Sequence, residues 1–257
     1  MNLDIINKVF FITGSSRGIG NGIAKVLLSE GCRVIINGRD VKCLEVEIKK
    51  LNKDYPDKII SVEGDVNKTV VTEEVIKKSV DKWGTIDGIV ANAGAVKSVP
   101  DWKINKGDWN WFFNNNFSVA YNAIQSIIPI LTKSCGSIVT IGSIASLEDV
   151  GAPLPYSSSK AALLAYTKSL SKRLADKKIR VNMVSPGNIL FPDGNWDKKQ
   201  KIDKDDIEKM LNTKVPLKRF GTPEDIGNMV AFLLSPRASF ITGANFVVDG
   251  GQSICLN

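Results

Sequence analysis

The chain has no histidine at all. That absence removes the Ser-His-Asp triad, a histidine general base and the usual imidazole ligands of zinc. Cysteine is scarce: Cys32, Cys43, Cys135 and Cys255 show no C-x-x-C spacing. No metal site is therefore expected, and the thiols read as reduced, as in a cytoplasmic protein. No apolar run approaches the roughly 18–20 residues that a membrane-spanning helix needs. The opening M-N-L-D-I-I-N-K has no signal-peptide pattern. No linker, repeat or low-complexity tract interrupts the sequence, so residues 1–257 are expected to form one cytoplasmic domain with no membrane partner. Proton chemistry, if there is any, falls to Tyr, Lys, Asp, Glu or Cys.

Charge is present but unpatterned. Thirty-four basic against 27 acidic side chains give a net charge of +7. The lysines are scattered, with small clusters at Lys49-Lys50 and Lys198-Lys199, and no basic stripe is interleaved with aromatics. Nucleic acid is not an expected partner. A basic balance does help anionic ligands approach. At 43% hydrophobic residues the chain can fill a substantial core.

Apolar strand-like runs alternate with helical ones along the whole length. Strands are expected at 9–12, 32–37, 58–64, 86–91, 137–141, 179–184 and 246–248. Helices are expected at 19–29, 40–53, 69–83, 109–131, 156–175, near 203–211 and at 222–234. Alternation of this kind predicts an α/β fold: a single-domain, Rossmann-type, doubly wound parallel sheet of about seven strands with helices on both faces. One irregular excursion, at about 188–220, follows the sixth strand. Its place beyond a strand's carboxyl end marks it as a substrate lid.

The first strand runs into K-V-F-F-I-T-G-S-S-R-G-I-G, residues 8–20. Strand, glycine turn and helix start are the parts of a nucleotide-phosphate site. The glycines allow a sharp turn and close approach of phosphate to main-chain N–H groups, and the helix presents its positive end. The spacing of Gly14, Gly18 and Gly20 is G-x-x-x-G-x-G, neither the G-x-G-x-x-G form nor a P-loop.

Tyr156 and Lys160 are spaced i, i+4, on one face of a helix. A phenol titrates near ~10 and is a poor acid at neutrality; a nearby ammonium is expected to lower that value. Ser143, just past the fifth strand, offers a hydroxyl to a substrate oxygen on which negative charge develops.

With T-G-S-S-R-G-I-G at 13–20, Asp65-Val66, A-N-A-G at 91–94, Asn116, Ser143, Tyr156 with Lys160, Pro186-Gly187, P-L-K-R-F-G-T-P-E-D and V-D-G-G, the chain resembles a short-chain dehydrogenase/reductase along nearly its whole length. The abundant 3-oxoacyl-thioester reductases and related sugar and carbonyl reductases are the branches it is most similar to. The resemblance implies that Tyr156 is the general acid and base, that Lys160 lowers its pKa and holds the nicotinamide ribose, and that Ser143 holds the substrate oxygen. Asn116 would sit at a helix kink and hold a water for proton relay. Cofactor contacts would come from Gly14, Ser16, Arg17, Gly18, Ile19, Gly20 and Arg39, from Asp65 and Val66, from Asn92, Ala93 and Gly94, from Tyr156 and Lys160, and from Pro186, Gly187 and Ile189. Ala91 stands where the family more often has a second Asn. Family members are usually homotetramers or dimers, and tetramers typically pair the stretches 109–131 and 156–175 and the last strand with its helix.

An acidic residue after the second strand would bind the adenosine 2′-OH. Here that place holds Gly38 and then Arg39, with Arg17 inside the glycine turn. Guanidinium groups suit a 2′-phosphate, so NADP(H) is expected over NAD(H). Asp40 would invert this preference if it reached the ribose. The substrate is a small carbonyl or alcohol compound. Candidate contacts are Ser143, Ala145, Glu148, Asp149 and Trp196. The two acids point to a polar, sugar-like ketone; the basic surface points to a 3-oxoacyl thioester on an acidic carrier. An NAD-dependent sugar or polyol dehydrogenase is the alternative within the class, and a non-catalytic dinucleotide sensor the alternative outside it.

Overall fold

The structure is a computed structural model describing residues 2–100 and 102–255. The chain runs β1 (Val9–Ile12), α1 (Gly18–Ser29), β2 (Arg33–Gly38), α2 (Val41–Asp54), β3 (Ile59–Glu63), α3 (Thr69–Trp83) and β4 (Gly88–Ala91). It continues through α4 (Lys106–Phe113), a π turn (Asn114–Ser118) and α5 (Val119–Ser134) to β5 (Ser137–Ile141), α6 (Leu154–Leu174) and β6 (Arg180–Pro186). After β6 come α7 (Asn195–Ile202), α8 (Lys204–Lys214), α9 (Pro223–Leu234) and β7 (Asn245–Val248).

The strands form one parallel sheet in the order β3-β2-β1-β4-β5-β6-β7. β1, β4 and β5 are buried at every position, as strands covered on both faces must be. On one face Ile23 and Leu27 of α1 pack with Ile226 and Val230 of α9. On the other, Val75 of α3, Ile124 of α5 and Leu170 of α6 form the second layer. The strand order reverses between β1 and β4, and that reversal opens a crevice at their carboxyl ends.

Local chemistry sets the element boundaries. Asp40 caps α2 by accepting from Cys43 N at 3.0 Å, and Thr222 and Asp225 form a reciprocal capping box with Pro223 behind them. α1 and α9 pack so closely that a Cβ added to Gly22 would lie 2.2 Å from the Pro223 Cβ. Two expectations change in detail. The helical stretch expected at 109–131 runs from α4 to α5 with the π turn inside it. The charged helix expected near 203–211 is α8, and an unexpected short helix, α7, precedes it; Asp203 ends α7 and caps α8, accepting from Asp206 N at 2.9 Å. α7 buries no side chain, so it leaves no apolar stripe in the sequence.

Candidate active site

The crevice is built on Thr13. Its Oγ1 accepts from Asn92 N at 3.0 Å and from Ala93 N at 2.9 Å. The Asn92 amide donates back to Thr13 O at 2.9 Å and Gly14 O at 3.0 Å. These bonds lock the A-N-A-G segment after β4 onto the glycine turn after β1. Gly14 and Gly18 hold φ of +61° and +60°, the left-handed region that glycine adopts without strain. Arg17 occupies the N-cap of α1 but makes no side-chain cap bond, and the first turn carries no acid. The N–H groups of that turn are therefore left for an anionic group, which the helix dipole favours.

At the end of β2 the residues fit a phosphorylated ribose. A Cβ added to Gly38 would lie 2.7 Å from Ser16 Oγ, so a longer side chain at 38 would collide with the glycine turn. Asp40 is committed to its helix: the Cys43 amide it accepts from holds its carboxyl below the usual range. It does not turn back to the ribose position. Arg17 stands at the N-cap of α1, inside the glycine turn. Arg39 and Asp65 line one cavity of about 760 Å³ with Asn67 and side chains of α4 and α5. Val66 is buried beside them.

Tyr156 lies in the first turn of α6, Lys160 one turn on, and Ser143 immediately after β5. The Ser143 side chain lies near enough to the Tyr156 phenol to favour its ionised form, while its Oγ accepts from Ala145 N at 3.1 Å. Lys160 is 4% exposed, donates to Ile141 O at 2.8 Å, and has its Nζ 6.0 Å from the Tyr156 ring centroid. Burial pulls the lysine down to about 8. The phenol moves the other way from the sequence expectation. Burial pushes it up, and only the neighbouring Ser143 side chain opposes that. The lysine's ammonium is itself disfavoured by burial and is directed at Ile141, so in the protein alone it does not override desolvation of the phenolate.

Asn116 is fully buried within the π turn. Its amide donates to Ala95 O at 2.8 Å and Phe112 O at 3.0 Å, and its Oδ1 accepts from Ala95 N at 3.0 Å. Both N–H groups are taken, so toward a water this side chain has only an acceptor left. A Cβ added to Gly94 would meet Asn116 Oδ1 at 3.0 Å and Lys160 Nζ at 3.5 Å. Asn116, Gly94 and Lys160 thus converge behind Tyr156. Pro186 is buried and Gly187 is bonded to β7 through Val248 O at 3.1 Å. Ile189, 5% exposed, belongs to the core on the α1–α9 side.

The substrate candidates do not converge. Ala145 is buried and donates its N–H to Ser143 Oγ at 3.1 Å. Glu148 is bonded to the C-terminal segment, accepting from Ile254 N and Cys255 N. Asp149 is exposed and closes a local turn on Gly151 N at 2.9 Å. Trp196 packs on Phe220 at 5.5 Å with Lys199 Nζ 4.7 Å from its ring. Sequence reasoning passed over three residues. Thr13 and Asn37, whose Oδ1 accepts from Gly14 N at 3.3 Å, hold the glycine turn; their position in the turn motif was the available signal. Phe191 rests its ring 3.0 Å from where a Gly18 Cβ would be, a contact no local pattern encodes.

A seven-stranded doubly wound sheet, a glycine turn on an uncapped helix and half-buried Tyr156 and Ser143 beside a buried Lys160 define a dinucleotide-dependent oxidoreductase class. The chain belongs to the short-chain dehydrogenase/reductase family and is an oxidoreductase. A family model described as enoyl-(acyl carrier protein) reductase matches residues 14–253. It is similar to the 3-oxoacyl-(acyl-carrier-protein) reductase of Chlamydia muridarum, 33% identical over 254 residues covering 98% of this chain and all of the relative. The corresponding reductase of Thermotoga maritima is 32% identical over 248 residues, covering 96% of this chain and 98% of the relative. Among solved structures, L-sorbose reductase of Gluconobacter frateurii, complexed with NADPH and L-sorbose, superposes with a TM-score of 0.92 at 29% identity, with both chains fully covered. Among the described residues no helix is long and apolar enough to cross a membrane.

Proposed function

We propose that the chain reduces the ketone of a 3-oxoacyl thioester to a secondary alcohol. The single observation that carries the reaction class is the Tyr156 phenol beside Ser143 with the buried Lys160 behind it, its Nζ 6.0 Å from the Tyr156 ring centroid. The cofactor is NADP(H): Arg39 follows β2 and Arg17 stands in the glycine turn at the N-cap of α1, Gly38 leaves no room for an acid, and Asp40 is tied to α2. When bound, NADPH supplies the hydride. The residues supply the rest. Ser143 donates to the substrate oxygen as charge develops on it. Tyr156, kept protonated by burial, gives that oxygen a proton, which is the form reduction needs. Lys160 orients the phenol and the ribose, and Asn116 fixes Ala95 and leaves an acceptor for a relay water. Residues 1–257 work as one unit, with 188–220 covering the substrate. The exposed Trp109 and Tyr121 on α4 and α5 fit the homo-oligomer common in the family.

The thioester reading rests on the curated relatives and on Glu148. Glu148 and Asp149 together are the argument for a polyhydroxy substrate; main-chain amides occupy Glu148 and Asp149 closes a local turn. A second reading, a sugar-like ketone, is favoured by the close superposition on L-sorbose reductase. The test is NADPH oxidation by purified protein with a short 3-oxoacyl thioester and with a ketose, using Tyr156→Phe as control. The expected result is kcat/KM at least about tenfold higher for the thioester, and a kcat lower by about 10²–10⁴ in the variant with NADPH still bound. A preference for the ketose would overturn the substrate assignment. A fully active Tyr156→Phe protein would overturn the mechanism.

A further inference from the structure

The segment after β7 runs from the end of the sheet to the loop between Ser143 and Tyr156. Val248 pairs with Pro186 at the end of the sheet. Asp249 then folds the chain, accepting from Gly251 N at 2.9 Å, Ser253 N at 2.7 Å and Ser253 Oγ at 2.6 Å. Gly250 O accepts from Leu217 N at 3.1 Å, at the end of the 188–220 excursion. Gln252 Oε1 accepts from Asn188 N at 3.2 Å. The far end reaches the loop between Ser143 and Tyr156. There Ile254 N donates to Glu148 Oε2 at 3.0 Å and Oε1 at 3.2 Å, and Cys255 N donates to Oε2 at 3.0 Å.

We propose that residues 249–255 form a strap bounding the substrate entrance, and that Glu148 is the positioning residue that latches it. The inference rests on the reading of the Tyr156 cluster as a carbonyl-reducing centre. The strap touches the Pro186–Asn188 turn, the end of the excursion and the Ser143–Tyr156 loop, three elements that surround that centre. At the far end the Ile254 side chain is 90% exposed, and two consecutive main-chain amides rest on one carboxylate. A carboxylate-accepted bond is stronger than a neutral one, and a surface carboxylate with no such task would be satisfied by water. Glu148 thereby acts on substrate through the strap, and its charge is directed away from the ketone.

Four proteins test this: Glu148→Ala, Glu148→Gln, a chain ending at Gln252, and Glu148→Ala in that shortened chain. In Glu148→Ala, amide hydrogen exchange at Ile254 and Cys255 is expected to speed up about tenfold or more, the loss of charge-assisted bonds. KM for the turned-over ketone should rise about three- to tenfold, with kcat changing less. The shortened chain should show the same rise, and adding Glu148→Ala to it should add nothing. Glu148→Gln, which keeps one acceptor, should fall between wild type and Glu148→Ala. Unchanged exchange in Glu148→Ala overturns the latch. A further rise in KM from Glu148→Ala in the shortened chain overturns it too, since Glu148 would then meet substrate directly. The exchange measurement needs no substrate, so if the wild-type protein reduces no ketone the proposed function fails while exchange alone decides the strap.

Discussion

Lys160 is the residue where function works against stability. It is 4% exposed, and burial pulls it from 10.5 down to about 8, a cost on the order of 3 kcal/mol to the folded state when the amine is charged. Lys160→Met should therefore abolish turnover and stabilise the protein without cofactor by about 1–3 kcal/mol, raising Tm roughly 2–4 °C per kcal/mol. The pH dependence has a definite sign. Below about 8 both folded and unfolded lysines are protonated and stability is flat. Between about 8 and 10.5 the unfolded chain binds more protons, so wild-type stability rises with pH. Tyr156, pushed up by burial, works oppositely once the unfolded phenol ionises near ~10. Cys32, pushed up to about 12 by burial, lowers stability from about pH 9 in wild type and variant alike, so the lysine is read from the difference between them: chemical denaturation from pH 7 to 9.5 should show wild type gaining stability relative to Lys160→Met, and a lower Tm for Lys160→Met would refute the account.

Arg39 is the second residue whose role can be isolated. It is exposed, lines the same cavity as Asp65 and makes no bond that the fold depends on. Arg39→Ala should weaken NADPH binding by about tenfold or more while leaving NADH within about twofold, the loss of one charge-assisted phosphate contact. Titration of cofactor fluorescence measures both. Equal losses would mean that Arg39 does not meet the 2′-phosphate.

At the scale of elements, the contact between α1 and α9 carries the glycine turn. A methyl on Gly22 would lie 2.2 Å from the Pro223 Cβ and 2.7 Å from its carbonyl carbon, and Gly227 meets Val26 in the same way. Backbone cannot yield as a flexible side chain can. Gly22→Ala should thus destabilise by about 1–3 kcal/mol and loosen cofactor binding as well, because α1 begins in the phosphate turn. A Tm within a degree of wild type would show that the helices part freely. The sequence made these elements legible where the signal is local: strand alternation, the turn at 13–20, the i, i+4 pair of Tyr156 and Lys160, and Thr222-Pro223 opening α9. It did not make legible what depends on distance in the chain. Glu148 meets residues 106 and 107 positions away, and the Phe191 ring reaches Gly18 from the far side of the sheet order. The direction of the Tyr156 shift belongs to the same group, since it follows from burial rather than from spacing.

The whole molecule carries a net charge of +7, a property no single site explains. If the thioester arrives on an acidic carrier protein, the field of the whole surface steers the encounter, and salt weakens it over a Debye length of about 8–10 Å. A small thioester without the carrier meets only the local site, where Tyr156 and Ser143 are half-buried and screened far less. The two substrates should therefore separate under ionic strength. Between about 25 and 300 mM salt, kcat/KM for a carrier-borne 3-oxoacyl group should fall about tenfold or more, and for the same acyl group on a short thiol it should stay within about twofold. Parallel curves would mean that the basic surface is a solvated face with no part in substrate capture. Divergence would assign the excess lysines to the encounter and leave the chemistry to Ser143, Tyr156 and Lys160.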